Sequence, residues 1–166
     1  MTKTTINKSY PSFLIVWITF WIFIDGCILL GYTAASSEQS FWTNQALVKN
    51  FWFDLAGIIT SFIIGMILIF LSLQIDRNVK KSQIIPNPSN FLIMGMVFFY
   101  FRNIISIAKF IVTVEPKWYL TSLVFTAVWL IPSIVISFFH YFFYKDTLDY
   151  NDKINLDNSK KSAQIL

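Results

Sequence analysis

Four long apolar stretches, each about as long as a membrane span, occupy most of this chain, and three of them carry charged side chains inside. Asp25 lies in PSFLIVWITFWIFIDGCILLGYT and Asp54 in FWFDLAGIITSFIIGMILIFLSLQ, while Arg102 and Lys109 lie in FLIMGMVFFYFRNIISIAKFIV. A span needs about 20 apolar residues, more than a soluble core helix offers. A charge at that depth costs about 2.5–3.5 kcal/mol even on a lenient insertion scale, so it is rarely left facing lipid. The pattern predicts an all-α membrane protein: a four-transmembrane-helix bundle with spans at 11–33, 51–74, 91–113 and 118–143, enclosing a polar site.

Only 13% of the 166 residues are charged, against about 25% in a soluble domain. No separate soluble domain fits. The first stretch is too long for a cleaved signal peptide and contains Asp25. The net charge of +4 does not point to nucleic acid, because the basic residues cluster at span ends. Lys3 and Lys8 precede the first span, Arg77, Lys80 and Lys81 follow the second, and Lys145, Lys153, Lys160 and Lys161 follow the fourth. The positive-inside rule then places both termini and the second loop in the cytosol. Residues 1–10 form a cytosolic N-terminus and 145–166 a flexible cytosolic tail.

The first loop becomes amphipathic at SFWTNQAL, where Phe41 and Trp42 are expected among headgroups. Pro86 and Pro88 break the second loop, and Ser89 and Asn90 are candidate N-caps for the third span. His140, near the cytosolic end among aromatics, reads as interfacial. With one histidine and one cysteine, and no phosphate loop, HExxH or GxSxG, the chain offers no metal site and no cofactor motif.

Helical rise sets the depths of the charges. Counting from Pro11, Asp25 is roughly 21 Å deep; from Phe91, Arg102 is roughly 16 Å and Lys109 roughly 27 Å deep. Asp54 lies only about 5 Å inside the opposite face, counted from Phe51. All four fall between midplane and lumenal face, which pairs Asp25 with Arg102 and Asp54 with Lys109 as candidate ion pairs. Such pairs read either as glue between helices or as part of a ligand site. Asp54 also reads as a charge at a helix start, and Lys109 as a residue reaching for the surface.

Three local patterns carry a resemblance. They are Asp25-Gly26-Cys27-Ile28-Leu29-Leu30 in the first span, Lys49-Asn50-Phe51-Trp52-Phe53-Asp54-Leu55 at the start of the second, and Trp129-Leu130-Ile131-Pro132 in the fourth. In this order the chain resembles the EXPERA family, small endoplasmic-reticulum membrane proteins that include sterol isomerases and sigma-2-type receptors. Trp21 stands where the isomerases carry a histidine, one turn before the first acid. Thr126 stands where they carry an asparagine, three residues before the tryptophan.

The resemblance implies an endoplasmic-reticulum protein binding a sterol-like lipid in an intramembrane cavity, with Asp25, Asp54, Trp129, Thr126 and Trp21 around the ligand. Sterol double-bond isomerisation is the alternative, with Asp25 and Asp54 as the catalytic acid and base. A third reading makes the chain a non-catalytic accessory or assembly subunit of a membrane complex. The expected partners are the lipid ligand and the membrane, without nucleic acid, and a homodimer is one possible assembly.

Overall fold

The computed structural model describes residues 6–7, 9–113 and 119–163. It is built of helices: α1 (Ser9–Ala35), the short α2 (Gln39–Thr43), α3 (Gln45–Lys80), α4 (Pro88–Thr113) and α5 (Tyr119–Ala163). The long helices pack in chain order, α1 on α3, α3 on α4 and α4 on α5, with α2 resting on α3. Among the described residues two helices, α1 and α3, are long and apolar enough to cross a membrane.

Local chemistry explains the boundaries. The Asn7 side chain accepts the Ser9 N–H at 3.1 Å and opens α1. Asn44 caps α3 by accepting from the N–H groups of Ala46 and Leu47. At the far end of α3, Ser82 takes φ 52. Its N–H donates to Val79 O and that of Gln83 to Asn78 O, the paired closure usually built on glycine. Asn87, at φ 47, turns the chain into α4, and Pro88 is the first helical residue, where its missing N–H costs nothing. The helix therefore starts before Ser89 and Asn90, the expected N-caps.

The face that α3 turns inward is Gly57, Ser61, Gly65, Leu68, Ser72 and Ile75, a helical stripe of mostly small residues. They let neighbouring backbones come close. A methyl group on Gly65 would lie 3.0 Å from Ile18 Cγ2 and 3.2 Å from the Phe98 ring. Thus α3 is gripped between α1 and α4. Outward, Val16, Phe23 and Leu30 of α1 and Phe70 of α3 are about 70% exposed. Exposed apolar surface on that scale needs a cover other than water.

Two expectations are corrected here. The tail after Tyr144 is helical to Ala163, because one face of it docks. Thr147 is buried, and Asn151 clasps both main-chain groups of Ile85: Ile85 N–H donates to Oδ1 at 2.8 Å, and Nδ2 donates to Ile85 O at 2.9 Å. Burial also pushes the Tyr150 phenol above its ordinary pKa. Nor is Phe41 among headgroups. It is 3% exposed, packed on Tyr32 and Phe51, while Trp42 stays outside.

Gly95 supplies the sharpest packing test. A methyl group there would sit 2.0 Å from His140 Nε2, so Gly95→Ala should displace that ring and cost about 1–3 kcal/mol. Gly26, with open space around it, should gain up to about 1 kcal/mol as alanine. Thermal unfolding of the two variants in detergent should move in opposite directions.

Candidate functional site

Along α1 the inward positions are Tyr10, Leu14, Ile18, Trp21 and Asp25, spaced four, four, three and four residues apart. Asp25 thus ends an otherwise apolar inward stripe, and it is only 3% exposed. Register places it among the other helices. Ile18 faces Gly65, and Gly57, two turns away, faces Ile105 of α4. Asp25, two turns past Ile18, therefore lies at the level of Gly57 and Ser61 on α3 and of residues 102–105 on α4. Arg102 belongs to that level by its place on α4. The side chains of Arg102, Lys109, Thr126 and Trp129 lie outside the described residues.

The same level carries polar groups that the sequence reading passed over. Asn103, 3% exposed, donates from Nδ2 to Ser133 Oγ at 3.0 Å and to Phe99 O at 2.6 Å. Ser137 Oγ donates to Ser133 O at 2.7 Å. Asp25, Ser61, Asn103 and Ser133 make a polar layer across four helices where composition alone suggests only apolar packing.

Asp54 lies one turn from Gly57 on α3, at the edge of the same level. It sits more than two turns inside α3, not at the helix start, and accepts the Tyr32 hydroxyl at Oδ2, 2.5 Å away. Tyr32 stands seven residues past Asp25, roughly 10 Å along α1. Around it, Phe41 and Phe51 make edge-on contacts at centroid distances of 6.4 and 5.4 Å. By register the two acids stand about one helical turn apart, roughly 5 Å, with Asp54 among the rings around Tyr32. Trp21 is buried one turn before Asp25, its ring edge-on to Trp17 at 6.1 Å.

His140 is the largest departure from expectation. Instead of lying at an interface, it has 0% exposure. Phe91 and Phe99 pack on its ring, with Gly95 beneath it. Phe91 O can only accept, so the Nε2–H donates to it at 3.0 Å. The neutral ring then offers its Nδ1 lone pair to the Tyr10 hydroxyl, 2.9 Å away. A signal for this was present: Ser133, Ser137, His140, Thr147 and Asn151 recur at helical spacing inside an aromatic-rich run. Read as one stripe, they mark the inward face of α5.

Among the described residues no group of three His, Cys, Asp or Glu side chains could hold a metal ion. No protein-family model, curated protein or solved structure matches this chain.

Tyr10→Phe removes only the hydroxyl and strands Nδ1 in an apolar shell, at a cost of about 1–3 kcal/mol. His140→Ala should cost more, since it also opens a cavity. If the two act through one hydrogen bond, their combined loss in detergent melting will be smaller than the sum.

Proposed function

We propose that this chain is a four-span membrane protein of the endoplasmic reticulum, with both termini cytosolic, that binds a sterol-like amphiphile between its helices. The observation that carries the reading is Asp25, a 3% exposed acid closing the inward stripe of a helix long and apolar enough to span a bilayer. An ionisable group there is a functional-site candidate by default. The likeness of the Asp25, Asp54 and Trp129 patterns to EXPERA proteins supplies the ligand class. The amphiphile's hydroxyl would reach Asp25, and its ring body would lie against Trp21 and neighbouring aliphatic side chains.

Binding is favoured over catalysis by the engagement of Asp54 with Tyr32. Isomerisation needs a proton donor and an acceptor within hydrogen-bond reach of neighbouring carbons. Asp54 stands about one turn from Asp25's level, and its carboxylate is already engaged by the Tyr32 hydroxyl.

The test is saturable sterol binding by the full chain in detergent or nanodiscs. Asp25→Ala is expected to abolish it while the melting transition persists; unchanged binding would overturn the reading. A double-mutant cycle with Arg102 separates ligand contact from glue. If Asp25 and Arg102 only pair in a dry bundle, each single change to Leu costs about 3–5 kcal/mol and the double change recovers most of it. Full sterol binding by that double variant would leave Asp25 a structural residue.

A further inference from the structure

Between α4 and α5 the structure holds a crevice of about 260 Å³, lined by Met96, Tyr100, Ile134, Ser137, Phe138 and Tyr141. It runs from beside Ser133 toward the His140 end of the helix pair; Ser137 in its wall donates to Ser133 O, and its other lining residues belong to no site described above. From Ile134 to Tyr141 it runs two helical turns, roughly 10 Å. Its walls are apolar apart from three hydroxyl-bearing side chains, Tyr100, Ser137 and Tyr141. At its outer end Lys145 folds back, its Nζ 5.5 Å from the centroid of the Tyr141 ring, a cation–π distance.

These residues also fall in a recognisable order. Val135, Tyr141 and Lys145 fit the Leu/Val–Tyr–Lys/Arg spacing associated with sterol contact, a pattern that is weak by itself. In this chain its tyrosine lines a cavity and its lysine lies over that tyrosine's ring, 5.5 Å from the centroid. We propose that the α4–α5 crevice is a second, shallower sterol site, with the ligand's single hydroxyl at Tyr141 and Lys145 and its ring body along Tyr100, Ile134 and Phe138. The inference rests on the membrane-spanning reading but not on Asp25.

Shape and polarity select this occupant. The Ser137 hydroxyl already donates to Ser133 O, which leaves the Tyr100 and Tyr141 hydroxyls, with Lys145 beside the latter, in an otherwise apolar crevice, a lining that suits an amphiphile with one small polar group. Lys145, one turn beyond Tyr141, would keep its ammonium in water while its stem lies along the membrane boundary, the depth at which a sterol hydroxyl resides. A rigid, flat ring system loses little conformational freedom on entering a fixed slot, whereas an acyl chain loses the freedom of every bond it lays down. The aromatic rings of Tyr100 and Phe138 offer flat surfaces to such a body.

The experiment uses the full chain in phosphatidylcholine vesicles containing photoreactive cholesterol, with the label mapped by peptide mass spectrometry with and without excess unlabelled cholesterol. Competable label is expected on 134–141 of α5 or 96–100 of α4. Ile134 is 38% exposed, so Ile134→Trp can fill the crevice without entering the core and should cut that label by roughly tenfold. Phe138→Ala, at a 61% exposed position, should weaken it with the fold intact. Asp25→Ala should leave it unchanged. Label insensitive to Ile134→Trp, or spread evenly over outward faces such as Phe20 and Phe23, would overturn the inference. Competable label confined to the Asp25 level would overturn it while supporting the deeper site. Label confined to the crevice would support it and sink the deeper site. No competable label at all would overturn both.

Discussion

A histidine with no access to water, ringed by phenylalanines, must satisfy both its nitrogens from protein, and His140 does so with two different helices. One bond reaches the Phe91 carbonyl at the start of α4, the other the Tyr10 hydroxyl at the start of α1. Three helix segments that are distant in sequence are fixed at one point. Gly95 is required by the same arrangement, since the imidazole occupies the space of any side chain there. The Tyr10–Phe143 stack at 4.8 Å closes the other side of the ring. Once these positions are set, the registers of α1, α4 and α5 follow.

Away from that knot the helices rely on close approach. The inward face of α3 is small, so α1 and α4 reach its backbone directly, and Ile18 and Phe98 both meet Gly65. Between α4 and α5, Asn103 donates to Ser133 Oγ, beside the packing of Phe91 and Phe99 on His140. Small residues and interhelical hydrogen bonds are what hold helices together when no hydrophobic driving force separates them from their surroundings. The large side chains point the other way. Phe20, Phe62 and Phe139, each at least half exposed, would be costly in water and cost nothing against acyl chains.

The long helices were legible in the sequence because length and hydropathy decide them, and Asp25 stood out because a charge inside an apolar run has no ordinary explanation. The polar residues that assemble the structure were not legible in the same way. His140 was assigned to an interface from its neighbours, FFHYFF, which are as compatible with a membrane boundary as with a core. Only its spacing from Ser133, Ser137 and Thr147 distinguishes the two. The tail misled for a similar reason. Its composition is polar, but helical docking needs only one face, and Thr147 and Asn151 fall on that face and reach Ile85. Tyr32 was invisible as a partner of Asp54 because the pairing depends on how α1 and α3 pass each other, which no local pattern encodes.

The two acids can be told apart by what surrounds them. Asp54 lies beside a tyrosine hydroxyl in a nest of aromatic rings formed by α1, α2 and α3, so a local structural role accounts for a carboxylate there. Asp25 continues the inward stripe of Leu14, Ile18 and Trp21. A buried ionic group is weak evidence for stability, since apolar replacements of similar volume often serve as well or better. An acid at position 25, whatever it pairs with inside the bundle, is therefore not accounted for by stability alone. On the sterol-binding proposal, that makes the Asp25 level the first place to look for a ligand.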